Sequence, residues 1–120
     1  MNTEGRHLLR FFFTKADRIL NRSEFLRLSK YGKKIENNTF IAKFCPGRSE
    51  RTRLGITVSR RVGSAAARNK IKRFAREHFR LNKHLLAGCW DINITAKRAA
   101  ANLSSGQASL SLQDIFDRIN

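Results

Sequence analysis

The sequence predicts an α+β fold in which a small mixed β-sheet packs with helices. Three observations lead there. Runs that alternate apolar and polar residues recur at 38–44, 53–59 and 89–96, the period of a half-buried strand. Between and after them lie stretches whose apolar residues keep helical spacing. The chain has 120 residues, enough for one hydrophobic core and too few for a second.

Taken in order, the elements are these. The apolar opening from His7 to Phe13 is split by Arg10, and residues 1–14 are expected to form an N-terminal arm that packs on the body or frays. Residues 15–120 then make the single domain. A first helix covers 22–32, with Ser23 placed to cap it, Gly32 to stop it, and Phe25, Leu26 and Leu28 to face a core. Residues 33–37 read as a further short strand. In the next run Phe40, Ala42 and Phe44 share one face, and Ile41 and Lys43 the other. The polar cluster 45–53, which holds the one proline, is a loop. Beyond it Leu54, Ile56 and Val58 alternate with Gly55 and Thr57, so the two runs are expected to pair as a β-hairpin. After a long basic helix, Gly88 breaks the chain, and Trp90, Ile92 and Ile94 alternate with Asp91, Asn93 and Thr95. Leu112, Ile115, Phe116 and Ile119 fall at i, i+3, i+4 and i+7 on a closing amphipathic helix, with Ser111 and Asp114 spaced as a capping box.

Twenty-five Lys and Arg against nine Asp and Glu give a net charge of +16. Such a chain repels itself unless a polyanion neutralises it, and nucleic acid is the first candidate. An anionic membrane would attract the same charge, but no run reaches the roughly 18 apolar residues that a spanning helix needs. The opening also lacks a small-residue cleavage site, so no secretory signal is read and a cytoplasmic location is expected. Cys45 and Cys89 form neither a C-x-x-C pair nor a zinc set with His7, His78 and His84. They are expected to be reduced, partly buried thiols.

Eight Lys and Arg fall between Ser59 and Arg80, against the single acid Glu77. On a helical wheel that starts at Arg68, Ile71, Phe74, Ala75, His78 and Phe79 cover one arc. Arg68, Asn69, Lys72, Arg73, Arg76 and Arg80 cover the opposite one, with Lys70 at its edge. The apolar stripe should clamp the helix to the sheet and hold the cations as a stiff row. Arg68, Lys72, Arg76 and Arg80 repeat at about 6 Å of rise, close to the phosphate spacing of a nucleic-acid strand. Like charges at i+4 also repel by a few tenths of a kcal/mol, so the row works against the helix unless an anion lies across it. Upstream, Arg60 and Arg61 add charge, and Ala65 to Ala67 read as helix-start packing. His78 reads as a satisfied, partly buried imidazole, because no nucleophile or carboxylate orienter accompanies it. Asp91 has no second acid at a two-metal spacing. No catalytic or metal-binding residue is expected on this chain.

The run from Leu54 to Arg80, LGITVSRRVGSAAARNKIKRFAREHFR, resembles the signature of the bacterial ribonuclease P protein component. The family's Arg-Asn-Arg core, hydrophobe and Lys-Arg are matched by Arg68, Asn69, Lys70, Ile71, Lys72 and Arg73, and its approach by Ser59, Arg60, Arg61 and Gly63. Arg18 and Phe25 fall in register with the family's first helix. The resemblance implies a fold similar to a ribosomal-protein domain, with a left-handed β-α-β crossover where sequence rules alone favour a right-handed one. It further implies that a large catalytic RNA with bound Mg²⁺ does the chemistry. The protein, as a monomer, would bind that RNA through Arg60, Arg61, Arg68, Asn69, Lys70, Lys72, Arg73, Arg76 and Arg80. It would hold the 5′ leader of precursor tRNA in a cleft that includes Phe25 and Lys43, and the complex would remove that leader by endonucleolytic cleavage.

Three departures stand out. Lys70 replaces an Arg, which keeps the charge and loses the planar fork. Ser29 and Lys43 stand where relatives often carry aromatics, so leader binding here is expected to lean on charge more than on stacking. The alternative reading is a non-enzymatic RNA-binding or ribosomal-type module.

Overall fold

Asn21, not Ser23, caps the first helix. In the computed structural model, which describes residues 13–119, the Asn21 Oδ1 accepts from both the N–H and the hydroxyl of Ser23. Residues 1–12 of the expected arm lie outside the described residues. Phe13, at its end, meets Phe79 edge to face at 5.6 Å.

The elements run α1 (Arg22–Tyr31), β1 (Lys33–Glu36), β2 (Phe40–Pro46), β3 (Arg53–Thr57), α2 (Ala65–Asn82), β4 (Trp90–Ala96) and α3 (Ser105–Ile119), with short 3₁₀ turns before α1, before α2, after α2 and before α3. The expected strand at 33–37 is thus β1. The expected hairpin of β2 with β3 does not form. The sheet order is β1-β2-β4-β3, with β4 antiparallel to β2 and parallel to β3. Buried on both faces by Ile92, Ile94 and Asp91, β4 takes the central place, and the more polar β3 goes to the edge. β3, α2 and β4 therefore form a β-α-β unit, and this connection holds the basic helix.

Each face of the sheet carries its own helices. Phe40, Ala42, Phe44, Leu54, Ile92, Ile94 and Ala96 pack against Ile71, Ala75 and Phe79 of α2 and Leu112, Ile115, Phe116 and Ile119 of α3. Each large side chain fully buried there stabilises the fold by about 1.5–3 kcal/mol. α1 crosses the opposite face, where Leu28 is fully buried outside that core. Leu26, expected inside, is 58% exposed, because α1 rests on the sheet along a narrow line and turns Leu26 away from it.

α3 begins earlier than the apolar spacing indicated. Its capping box is Ser104 with Gln107, each accepting from the other's backbone N–H at 3.2 and 2.9 Å. Ser111 and Asp114 lie mid-helix instead. They tie α3 to the β1–β2 turn, where the Asn37 amide donates to the Ser111 carbonyl and the Asp114 carboxylate. Gly88 has φ +83, the left-handed turn that admits the chain to β4.

Candidate nucleic-acid interface

The Ser64 hydroxyl accepts from the Ala67 N–H and starts α2, so Ala65 to Ala67 form its first turn as expected. Ile71, Ala75, His78 and Phe79 are buried and Phe74 half-buried, which fixes the helix along its whole apolar stripe. Asn69, Lys70, Arg73 and Arg76 are exposed on the other side, with Arg68, Lys72 and Arg80 half-buried. None of Arg68, Lys70, Lys72, Arg73 and Arg76 makes an ion pair among the described residues. Lys70 sits 5.6 Å from the Phe74 ring centre. The Arg68 Nε is buried without a hydrogen-bond partner among the described residues. Arg80 differs: it pairs with Glu77 one turn back, an interaction that lowers the Glu77 pKa and raises that of Arg80. Arg60 and Arg61 project from the 3₁₀ turn anchored by buried Val62.

The face of the sheet under α1 is the second part of the site. Lys43, Asn93 and Gly55 lie on one rung of β2, β4 and β3, and Ile41, Thr95 and Thr57 on the next. Phe25 closes one end of this floor by lying on Gly55, where a Cβ would meet the ring at 2.5 Å. Only glycine lets the ring settle so low. At the other end the Lys43 ammonium donates to the Ser29 carbonyl at 3.0 Å, joining the two departures noted in the sequence. A cleft of about 190 Å³ at the β3 edge gathers Phe25 and Arg18 with Lys72 and Arg76 of α2. The structure thus brings Phe25 together with the helix cations and leaves Lys43 at the far end of the floor.

Beneath α1 lies an ion cluster that the sequence did not reveal. Asp91 is fully buried and accepts from Arg53 through Nε and Nη2 and from Arg27 through Nη2. Arg53 also reaches Glu24 at 3.0 Å, and its pKa is raised chiefly by the hydrogen bonds to Asp91. A lone acid inside an apolar strand of so basic a chain was the available signal. Asp17 is likewise buried. Burial pushes its carboxyl up, but the Thr14 N–H and hydroxyl and the Lys83 ammonium outweigh this and hold it below the usual range.

His78 stacks on Phe116 at 5.1 Å, and burial pushes its pKa down against the partial restoring pull of Asp117. The expectation of a satisfied imidazole is corrected, because Nε2 is buried with no partner among the described residues. Cys45 is half-buried and accepts from Arg27 at 2.8 Å. Cys89 is exposed rather than partly buried, since it precedes β4 outside the sheet. No group of three His, Cys, Asp or Glu among the described residues could hold a metal ion. No helix among the described residues is long and apolar enough to cross a membrane.

A rigid cationic helix beside an open strip of sheet defines a strongly basic α+β domain. Comparison with known proteins narrows this. The family model described as Ribonuclease P matches residues 13–120, and the chain belongs to the ribonuclease P protein family. It is 47% identical over 108 residues to the ribonuclease P protein component of Desulfosudis oleivorans, covering 90% of this chain and 89% of that one. With the corresponding protein of Citrifermentans bemidjiense it shares 42% over 107 residues, covering 89% and 91%. The structure of the Staphylococcus aureus RNase P protein superposes with a TM-score of 0.83 at 34% identity, covering 88% of this chain and 97% of that chain. For the Thermotoga maritima RNase P protein the values are 0.78 and 32%, covering 86% and 97%. The chain is thus a protein component of the ribonuclease that acts in tRNA processing.

Proposed function

We propose that this chain binds the catalytic RNA of ribonuclease P and the 5′ leader of precursor tRNA, and so assists Mg²⁺-dependent removal of the leader. The observation that carries the proposal is α2: five cations on a clamped helix that meet no acid among the described residues. Arg68, Lys70, Lys72, Arg73 and Arg76 grip phosphates of the folded RNA, and Asn69, Arg80, Arg60 and Arg61 extend the contact. Because the helix is already fixed, little ordering entropy opposes binding. The cations also lower the repulsion between two polyanions, which reduces the Mg²⁺ required for their union. Phe25 and Lys43 border the strip that receives the leader. Hydrolysis of the phosphodiester bond leaves the mature tRNA 5′ end, with Mg²⁺ held by RNA rather than by this chain. The protein acts as a cytoplasmic monomer within that ribonucleoprotein.

The deciding experiment is reconstitution with a ribonuclease P RNA and precursor tRNA at limiting Mg²⁺. The protein should restore cleavage at the tRNA 5′ end. Cleavage that is no faster with the protein than without it would overturn the proposal.

A further inference from the structure

The side of α1 turned away from the leader strip carries a groove of about 470 Å³, bordered by Leu26, Lys30 and Tyr31 of the helix and by Arg48 of the β2–β3 loop. Tyr31 is 71% exposed and Leu26 58% exposed. The Lys30 ammonium stands 5.4 Å from the Tyr31 ring centre. Glu24 and Arg27 also line the groove, but both are held in the ion cluster with Arg53 and Asp91. The charges left for a partner are therefore Lys30 and Arg48, neither of which has an ion pair among the described residues.

We infer that this groove is a second binding site for single-stranded RNA, occupied by leader nucleotides farther from the cleavage site than those in the strip beneath α1. The inference rests on the functional reading above. Three observations select the occupant. An exposed ring in a groove that also holds two cations without ion pairs among the described residues matches a base that stacks and a phosphate that pairs. A second copy of this chain would bring another net charge of +16 against the first. The strip also ends close to the groove, because Lys43 is bonded to Ser29, one residue before Lys30 and two before Tyr31. A strand that leaves the strip past Lys43 rounds the end of α1 and meets the tyrosine ring.

The test uses holoenzymes reconstituted with the unaltered protein, Tyr31→Ala and Tyr31→Phe. Each is titrated with two precursor tRNAs, one whose leader only fills the strip and one several nucleotides longer. Tyr31→Ala should weaken binding of the long-leader substrate about tenfold, leave the short-leader substrate unchanged, and be rescued by Tyr31→Phe, which keeps the ring. Equal affinities for both substrates in the unaltered and Ala proteins would overturn the inference, and so would a loss that ignores leader length. A Tyr31-dependent change of mass in sedimentation would assign the groove to another copy of the chain and overturn it too. Failure of the unaltered protein to stimulate cleavage removes the functional reading and this inference together, whereas intact stimulation with a silent Tyr31 removes the inference alone.

Discussion

Arg53 and Asp91 lie opposite each other on neighbouring parallel strands and meet through two side-by-side hydrogen bonds, Nε to Oδ1 at 3.0 Å and Nη2 to Oδ2 at 2.9 Å. The planar guanidinium matches the carboxylate fork, and Arg27 completes the shell from α1. Asp91→Ala would leave the largely buried Arg27 without an acid and Arg53 with Glu24 alone. The expected cost is about 3–5 kcal/mol, read as a lower midpoint in urea unfolding. α1 should loosen first, because its ties to the sheet run through Arg27 and Glu24.

His78 makes stability depend on pH. Its folded pKa lies below the ordinary 6.5, so between those values the unfolded chain binds a proton that the folded chain refuses. Stability is full above about 6.5 and falls as pH drops from there to the folded pKa. Asp17, Glu36 and Glu77 are also lowered, but their contributions persist until pH falls below the carboxylate range near 4. His78→Leu should therefore flatten the fall of the unfolding free energy as pH drops below about 6.5. An unchanged slope in that window would remove His78 as its source.

Arg73 is exposed and makes no ion pair among the described residues, so Arg73→Ala should leave the fold and its melting temperature intact. Removing one phosphate-binding side chain should reduce the slope of log K against log salt by about 0.7–0.9. A salt titration of RNA binding measures this directly. An unaltered slope would show that Arg73 touches no phosphate.

Phe25 has one face of its ring spent on Gly55, while among the described residues the Lys43 ammonium is held by a carbonyl that a phosphate can replace. Leader affinity should consequently fall further in Lys43→Ala holoenzyme than in Phe25→Ala holoenzyme. A larger loss for Phe25→Ala would show that stacking dominates. Gly55→Ala should lift the ring and cost about 1–3 kcal/mol by overpacking.

What could be read without coordinates was whatever is local. The wheel of α2 separated Ile71 and Phe79 from Arg73 and Arg76 because amphipathic spacing is a property of the helix itself, and the resemblance around Asn69 pointed to the family. Alternation marked β2, β3 and β4, yet it carries no information about which strand lies beside which, so β4 was not seen to separate β2 from β3. The start of α3 was missed because Gly106, Ser109 and their neighbours lack an apolar rhythm, although the true box, Ser104 and Gln107, was there to be read. Leu26 misled because it looks like its buried neighbour Leu28, and only the narrow seat of α1 tells them apart. The Asp91 cluster joins residues 64 and 38 positions apart, a distance that no local pattern spans.

The central place of β4 has a consequence for biosynthesis. Until Trp90–Ala96 has left the ribosome, β2 and β3 have no common neighbour to join them, and the sheet that seats α2 is incomplete. The nascent chain thus passes through an interval in which its most cationic segment has been made but has no finished platform. The insertion of one late strand completes the platform and fixes those cations in a row.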